Sequence, residues 1–432
     1  MEVEKNNNAF SRRELFYGWY IVAAIFFMIF VSAGFRQSYG LFVPSWIKDF
    51  DISVSMISFV SASGWVINGI AQPIVGRLSD QYGAKIVMSW SVLILGLSTL
   101  GMALSTGIWG LIFFYGLFGS FAVAGAQFTP VTPLISRWFV QKRGMALSLL
   151  TSGGSAGAML IVPFSAFLMA MTNWRWSLAA LAAAILLLAM PLILIVVKND
   201  PKHIGSVPDG EKDVVSKNKD LRVAQEGPLT VSRWQQSYRT APMWQLTMSY
   251  IVCGVTTAII SVHFVQFAKT EGIDETSSAV AFGLLSLMNL VGVLGLGFIS
   301  DKIKRKNALT VIYAFRGIGF LSLLLFPSSY GIWIFSVIAG GSWLASVPQT
   351  SALAAEVYGI RHAGTITGML SMVHMLAGAL AVAAAGINFD ISGSYNLTWL
   401  TSFLLLIGAS LISFSVNEKF YSSRFNPVIS HT

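Results

Sequence analysis

The chain alternates between long apolar stretches and short polar ones. Apolar stretches of about 20 residues are long enough to cross a bilayer as helices, and twelve occur: 17–45, 53–76, 86–105, 109–136, 144–171, 175–197, 242–268, 276–299, 308–326, 331–355, 363–388 and 396–416. Between the sixth and the seventh lies a polar, charged segment, 199–240, which predicts a partly disordered linker with Pro201, Pro208 and Gly210. The pattern predicts an all-α integral membrane protein with 12 transmembrane helices in two six-helix bundles, 1–198 and 241–432.

The two predicted bundles repeat one another in sequence. At an offset of 221 residues, the following match in order: Ile52 with Ile273, Asn68 with Asn289, Gly76 with Gly297, Ser79 with Ser300, Asp80 with Asp301, Lys85 with Lys306 and Gly157 with Gly378. Asn and Asp are rare in apolar stretches, so chance explains these matches poorly. A repeat of six spans in one orientation predicts bundles related by a pseudo-twofold axis, which is typical of alternating-access carriers.

Composition excludes several classes of protein. The 432 residues are 55% hydrophobic and 11% charged, with a mean hydropathy of +0.68. A soluble enzyme with one ordinary core would need more polar surface, and a disordered chain would be less apolar. Arg12 and Arg13 before the first stretch resemble a signal peptide only weakly, and the repeat needs that stretch as its first span. The single cysteine, Cys253, cannot form an intrachain disulfide.

The net charge of +9 predicts the orientation in the membrane. With the N-terminus inside, all but five of the 28 Lys and Arg residues fall in cytoplasmic segments. Lys48, Arg175 and Lys269 lie outside, and Arg36 and Arg316 fall within spans. We therefore expect a multi-pass protein of the cell (inner, cytoplasmic) membrane with both termini cytoplasmic. Nucleic acid is not needed to explain the charge.

The loop after the second span carries a distinctive motif, Gly76–Lys85, and Gly297–Lys306 is a decayed second copy. The motif resembles the signature loop of the major facilitator superfamily, which implies the major facilitator fold. Asp80 can accept hydrogen bonds from the N-terminus of a neighbouring helix and so latch the cytoplasmic side. The predicted gating residues are Gly76, Arg77, Asp80, Gly83 and Asp301.

Further motifs are similar to the monocarboxylate and oxalate–formate branch of that superfamily. They are Gly18-Trp19, Trp138-Phe139, Lys142–Ala146, Gly153–Gly157, Asp200-Pro201, Gly205, Pro208–Gly210, Asp390 and Gly393–Tyr395. The chain departs from the branch in span 8, where Asn289 and Val293 stand in the places of its Asp and Arg. Span 11 offers only His374 in place of the Lys of oxalate exchangers.

Arg36 is the first candidate for substrate binding. Arg36 and Arg316 are the only ionised groups well inside spans, and no acid within a span can neutralise either one. An arginine at mid-membrane costs about 2.5–3.5 kcal/mol, so it normally faces protein or a water-filled cavity. Arg36 shares a face of span 1 with small and polar residues, and its planar fork suits a carboxylate. The alternative is an arginine that snorkels outward.

The other candidate site residues are polar side chains within spans. His263 and His374 are predicted to bind substrate or the coupled proton, with His263 preferred because span 7 mirrors span 1. Asn68 and Asn289 are predicted to bind substrate or to close the cytoplasmic gate. Gln127 is a further candidate, and Thr129, Trp343 and Gln349 are weaker ones. Arg316, in a peripheral span, is expected to bond a neighbouring helix.

The function predicted is proton-coupled symport of a small organic anion, a monocarboxylate, by alternating access. Two alternatives remain: an organic-anion exchanger without proton coupling, or an efflux carrier of another small molecule. An integral-membrane enzyme would need acid–base or metal clusters, and the five histidines lack carboxylates at such spacing. No Walker-type loop occurs, so we expect neither ATP nor any other cofactor or metal. The expected partners are the anion, H+ and the lipid bilayer, with the monomer as the functional unit.

Overall fold

The structure of the protein is a computed structural model that describes residues 16–209 and 227–425. The side chains at positions 54, 55, 58, 275 and 276 lie outside this description. So do the predicted N-terminal segment before residue 16, positions 210–226 of the predicted linker, and residues 426–432.

The helices follow the predicted order in both halves. In the first half they are α1 (Gly18–Gln37, continued by Tyr39–Phe50), α2 (Val54–Tyr82), α3 (Ala84–Ala103), α4 (Ile108–Leu111, Ile112–Gly119, Ser120–Gly125 and Phe128–Trp138), α5 (Arg143–Met171) and α6 (Trp174–Ala183, Ala184–Ala189 and Met190–Val196). In the second half they are α7 (Ala241–Thr270), α8 (Glu275–Ser300), α9 (Arg305–Leu325), α10 (Ser328–Ile338, Gly340–Ser342 and Ser346–Tyr358), α11 (Ala363–Ser392) and α12 (Asn396–Ser415). Short helices Pro201–Ile204, Trp234–Arg239 and Glu418–Tyr421 lie outside the bundles.

Eleven of these helices are long and apolar enough to cross a membrane, as far as the described residues show. The remaining one, α2, has 29 residues and the position of the predicted second span. It is less apolar because Asn68, Gln72 and several Ser and Gly residues interrupt its hydrophobic positions. Asn68 and Gln72 are buried against other helices, each 2% exposed. The all-α membrane fold predicted from the sequence is confirmed.

Each half has its own apolar core. One cluster of buried side chains is contributed by all six helices from α1 through α6 and includes Trp46 and Trp138. A second cluster joins α7 to α12 and includes Phe320 and Trp399. The two halves meet where α2 packs along α11 and α5 packs along α8.

Two helices, α4 and α10, are broken in the middle of the bundle. In α4 the chain leaves helical geometry at Ala126 and Gln127 and resumes at Phe128. The carbonyl oxygen of Ala126, freed by this break, accepts a hydrogen bond from Ser32 Oγ at 3.3 Å. In α10 the backbone N–H of Leu344 donates to Asn289 Oδ1 at 2.9 Å. Irregular backbone at membrane depth is found where it is buried in protein or lines a cavity, and Gln127 and Leu344 both line one.

Candidate functional site

A cavity of about 230 Å³ lies between the two halves. Its walls come from α1, α2, α4 and α5 on one side and from α7, α10 and α11 on the other. The lining residues that could contact a ligand through a polar or aromatic group are Arg36, Gln37, Trp65, Gln72, Gln127, Thr151, Tyr250, Thr257, Ser261, Trp343, Ser371 and His374. No Asp or Glu is among the described residues of the lining.

Arg36 holds the only fixed charge in the cavity lining that the structure describes. Its guanidinium carbon lies 3.8 Å above the centre of the Trp65 ring, a cation–π contact. Behind it, a small space bounded by Phe35, Asn68 and Tyr115 separates α1 from α2 and α4. Within the described part of the chain, neither a carboxylate nor any other hydrogen-bond acceptor pairs with this guanidinium. The ring holds the cation in place and leaves its N–H groups for a ligand.

His374 and Gln127 face Arg36 from other sides of the same cavity. The imidazole Nε2 of His374 lies 3.5 Å from Thr257 Oγ1, and its ring centre lies 4.7 Å from that of Tyr250, with the two rings tilted by 41°. The structure therefore brings three of the predicted site residues, from both halves, to one cavity. A fourth, Asn68, lies just behind the wall, where its amide donates to the carbonyl oxygen of Ser120 at 2.9 Å.

His263 and Asn289 are not among the cavity-lining residues. Asn289 is fully buried and joins the halves, because its amide nitrogen donates to Ser155 Oγ of α5 at 2.7 Å. His263 Nε2 lies 3.0 Å from the Val382 carbonyl oxygen and Nδ1 lies 3.1 Å from the Tyr395 hydroxyl. Since a carbonyl can only accept, Nε2 carries the proton and Nδ1 accepts from tyrosine. Both ring nitrogens are thus used within the second half.

This geometry predicts a structural role for His263. His263→Phe keeps a ring of similar size but removes the hydrogen-bond acceptor of the Tyr395 hydroxyl and the side-chain donor to the Val382 carbonyl oxygen. Interhelical hydrogen bonds in membranes average about 0.6 kcal/mol each, so we expect a loss near 1 kcal/mol and a small fall in unfolding temperature. Thermal unfolding of the purified variant would measure it, with exposed Val262→Phe as the matched control on the neighbouring position. An unfolding temperature equal to that of the parent would contradict this role.

The sequence analysis did not single out Trp65, Gln72, Tyr250, Thr257 or Ser261 for the site. For four positions on α7 the repeat itself carries the signal. An offset of 221 residues relates Ile29 to Tyr250, Ala33 to Gly254, Arg36 to Thr257 and Gln37 to Ala258, and all eight line the cavity. The repeat register applied to Arg36 therefore indicates Thr257, and the same offset relates His263 to Phe42, a buried core residue.

Asp80 and Asp301 close one end of the bundle, hereafter the closed end, which carries the loops 82–84, 138–143, 300–305 and 358–363. Asp80 accepts hydrogen bonds from the backbone N–H groups of Gly364 and Thr365 at 2.9 and 2.8 Å, and from Thr365 Oγ1 at 2.6 Å. These are the first residues of α11, whose unsatisfied N–H groups and dipole favour a carboxylate. α2 and α11 belong to different halves, so Asp80 ties the halves together.

Asp301 repeats this contact across the pseudo-twofold axis. It accepts hydrogen bonds from the N–H groups of Gly144 and Met145, the first turn of α5, at 2.8 and 2.9 Å. Arg305 Nη2 lies 3.1 Å from Asp301 Oδ1, and Arg305 Nε lies 2.7 Å from Glu356 Oε1. Arg305 and Glu356 are 1% and 3% exposed. These charges lie at span ends, outside the spans that contain Arg36 and Arg316, and they form a buried ion-pair network at the closed end.

Glycine brings the helices of the closed end into backbone contact. A Cβ atom on Gly76 would lie 2.2 Å from the carbonyl oxygen of Gly364. Gly83, with φ of +89°, ends α2 in a conformation that favours glycine. Arg77, the remaining predicted gating residue, is exposed. Gly76, Asp80 and Asp301 therefore act in one contact surface between the halves.

The two described ends of the linker are attached to different halves. The Asp209 carboxylate accepts hydrogen bonds from the N–H groups of Val140, Gln141 and Lys142 in the first half. On the other side of positions 210–226, Leu229 N–H donates to the Val357 carbonyl oxygen in the second half at 3.0 Å. Both attachments lie at the closed end.

Comparisons with known proteins agree with this architecture. The family model of the Major Facilitator Superfamily matches residues 25–382. The uncharacterized MFS-type transporter YcxA of Bacillus subtilis is 25% identical over 386 residues, 88% of this chain and 90% of that protein. Monocarboxylate transporter 13 of Rattus norvegicus is 23% identical over 403 residues, 91% of this chain and 87% of that protein.

Solved structures show the same fold. The proton:xylose symporter XylE, bound to 6-bromo-6-deoxy-D-glucose, matches with a TM-score of 0.77 at 14% identity, over 94% of this chain and 96% of that chain. FucP in its outward conformation matches with a TM-score of 0.68 at 13% identity, over 91% and 97% of the two chains.

Proposed function

This chain belongs to the major facilitator superfamily, and we propose that it carries a small organic anion, a monocarboxylate, in symport with a proton. As a member of that family it is a multi-pass membrane transporter and not an enzyme. What we propose beyond the family is the class of its substrate and its coupling to protons.

The observation that carries the proposal is the unpaired guanidinium of Arg36 in a cavity whose described lining has no acid. A carboxylate about 4 Å from this cation would gain roughly 4 kcal/mol at an effective dielectric constant near 20, before desolvation. Neutral sugars gain nothing comparable from a fixed positive charge. Arginine also presents two parallel N–H donors that match the two oxygens of a carboxylate.

The size of the cavity favours a small substrate. Pockets for drug-sized ligands occupy about 300–1,000 Å³, and this cavity of about 230 Å³ is smaller. The name of a relative, monocarboxylate transporter 13 of Rattus norvegicus, agrees with a monocarboxylate as the substrate class.

We further propose that the closed end faces the cytoplasm. Lys142, Lys202, Lys302, Lys304 and Arg361 lie at this end, and positive residues favour the cytoplasmic side. In this orientation both chain termini are cytoplasmic, the protein resides in the cell membrane, and the described state has its cavity sealed from the cytoplasm by Asp80 and Asp301. Alternating access then requires the contacts of both aspartates to break and reform in each cycle.

The proposal is tested by uptake into proteoliposomes of the purified protein, using labelled acetate, lactate, pyruvate and benzoate with xylose as the neutral control. We expect at least one carboxylate, and not xylose, to accumulate when the outside is made acidic. Carboxylate exchange at a rate that does not change with the pH gradient would instead identify an exchanger without proton coupling. Failure of every carboxylate to enter or exchange would contradict the anion assignment and favour an efflux carrier of another small molecule.

The latch at Asp80 should control turnover more than binding. Asp80→Asn replaces an oxygen that accepts from backbone N–H with an amide that can donate, so the sealed state loses charge-assisted hydrogen bonds worth about 1.5–3 kcal/mol each. We expect uptake to slow roughly tenfold or more, while equilibrium binding of the same carboxylate changes little. Asp49→Asn is the matched control, because Asp49 pairs with Trp174 and Arg175 within one half. Normal turnover in Asp80→Asn would exclude a gating role.

A further inference from the structure

A positive charge is buried in the second half without a carboxylate beside it. The Arg316 side chain in α9 is 0% exposed. Its Nη1 donates to Thr256 Oγ1 at 3.2 Å and points to Cys253 Sγ at 3.6 Å. Its Nη2 donates to the Ser342 carbonyl oxygen and to Ser346 Oγ at 3.2 Å. Nε has no hydrogen-bond partner among the described residues.

This surrounding is unusual for arginine, since a buried cation that lacks a counter-charge is costly. Arginine does not lose its proton in proteins. Hydroxyl and carbonyl groups do not supply a negative charge at neutral pH. Among the groups that contact the guanidinium, the thiol of Cys253 is the one that can become an anion in that range.

Cys253 is connected to the transport cavity through His374. His374 in α11 packs against the part of α7 that carries Cys253, because its ring centre lies 4.7 Å from that of Tyr250 and its Nε2 lies 3.5 Å from Thr257 Oγ1, and it lines the cavity. The two helices are in backbone contact here, since a Cβ atom on Gly254, the residue after Cys253, would lie 2.1 Å from the carbonyl oxygen of His374. α7 and α11 thus touch one residue away from the thiol. The thiol also contacts Ser346 Oγ of α10 at 3.0 Å.

The remaining titratable groups around the thiol are tyrosines. Tyr250 lies one helical turn before Cys253 on α7, and Tyr313 lies one turn before Arg316 on α9; phenol hydroxyls ionise only near pH 10 in water. α10 contributes Ser346, and α11 contributes His374 itself. No carboxylate of the described chain lies in this cluster, so a thiol and an imidazole are the side-chain types in it that ordinarily ionise closest to neutral pH.

We propose that Cys253 and His374 form the proton-binding site of the carrier, with Arg316 stabilising the thiolate. This inference deepens the proposed function and rests on it. In the proton-free state the thiolate neutralises Arg316. A proton from the cavity binds the imidazole, which becomes an imidazolium facing the cavity with the thiolate behind it. The cluster then carries one net positive charge beside that of Arg36, and a substrate carboxylate in the cavity lowers this total from two to one.

Coupling follows from this charge balance. A carboxylate between Arg36 and the imidazolium strengthens proton binding at His374, and the bound proton strengthens carboxylate binding by the same factor. When the carboxylate leaves into the cytoplasm, the imidazolium loses its counter-charge and releases its proton there. No covalent step and no oxidant is involved.

Thiol chemistry tests the pair without any knowledge of the substrate. Cys253 is the only cysteine of the chain, so its alkylation by iodoacetamide can be followed by mass spectrometry of the purified protein without background. The thiolate is the attacking species, and it displaces iodide from the reagent. If His374 takes up the thiol proton, His374→Gln should slow alkylation at pH 7 by about fivefold or more. Ser346→Ala removes another contact of the same thiol but no base and should alter the rate much less.

Transport provides the second test, in the proteoliposomes described above. Cys253→Ser keeps the size and hydrogen bonding of the side chain but removes its ionisation near neutral pH. We expect this variant to keep counterflow exchange of the carboxylate that the wild type carries. Its accumulation of that carboxylate in response to a pH gradient should fall by at least about tenfold. Ser336→Ala in α10 removes a hydroxyl that donates to the Ile332 carbonyl oxygen of the same helix, and it should keep both activities.

The outcomes separate this inference from the proposed function. Equal gradient-driven accumulation by wild type and Cys253→Ser, or an alkylation rate that does not depend on residue 374, would overturn the Cys253–His374 site while leaving anion transport intact. If the wild type carries no carboxylate, the proposed function fails and the alkylation rates still decide whether the thiol and the imidazole share a proton. If Cys253→Ser also loses counterflow, alkylation again decides.

Discussion

Arg36→Gln is expected to abolish carboxylate uptake and leave the protein folded in the membrane. The substitution removes the only fixed charge of the described cavity lining. If half of the roughly 4 kcal/mol of attraction survives desolvation, affinity falls about 30-fold, and uptake at low substrate concentration falls with it. Arg36→Lys keeps the charge but loses the planar fork, so it should retain part of the activity. Initial uptake rates of the labelled carboxylate would measure both effects.

The chain offers a matched control for this substitution. Arg175 also lies over a tryptophan ring, with its guanidinium carbon 4.1 Å from the centre of the Trp174 ring, but it stands outside the cavity and pairs with Asp49. Arg175→Gln therefore removes the same kind of contact without touching the proposed site, and it should transport at close to the wild-type rate. Near-normal uptake by Arg36→Gln would exclude a direct role in carboxylate binding.

Gly76→Ala is expected to reduce uptake at least about tenfold by preventing full closure of the closed end. The added methyl carbon would lie 2.2 Å from the Gly364 carbonyl oxygen, whereas C···O contacts of about 3.3–3.6 Å are normal. α2 and α11 must then separate by about 1 Å, which also lengthens the hydrogen bonds of Asp80. A carrier that cannot reach one of its two end states cannot complete a cycle.

Gly69→Ala on the same helix is the control. A Cβ atom there would lie 3.5 Å from Met375 Cβ, an ordinary contact, so we expect near-normal uptake. Ketone-reactive spin labels on unnatural amino acids at positions 82 and 361, both exposed, would report the distance across the closed end without involving Cys253. An unchanged distance distribution in Gly76→Ala, together with normal uptake, would show that this contact does not limit the cycle.

Helix number, order and symmetry could be predicted because apolar length and rare polar residues determine them. Arg36 could be predicted for the same reason, since a charge in an apolar span requires a cavity or a polar partner. His263 shows the limit. The mirroring of span 1 by span 7 suggested the site, but the rotation of α7 directs the His263 side chain toward Val382 of α11 and Tyr395. Rotation depends on how neighbouring helices pack, and only the repeat offset, which relates Arg36 to Thr257, carried that information in the sequence.

The charges at the closed end show a second limit. Arg305 and Glu356 are separated by 51 positions in the chain, and each lies at the end of a helix where a sequence pattern suggests exposure to water. Their burial follows from the meeting of α8, α9, α10 and the segment Glu418–Tyr421, which contributes Glu418 Oε1 to the Arg305 backbone N–H at 3.0 Å. Contacts between remote helix ends have no periodic signature, so a single sequence does not predict them.

The anchored linker bears on how the molecule can be assembled. Asp209 is bound to the first half and Leu229 to the second, so the covalent connection between them does not itself hold the halves in register. That register comes from the hydrogen bonds of Asp80 and Asp301 and from the close approach of Gly76 to Gly364. A connection of this kind acts by raising the effective concentration of one half near the other. The protein could therefore be synthesised as two polypeptides, divided between residues 209 and 227, that associate in the bilayer into one working unit.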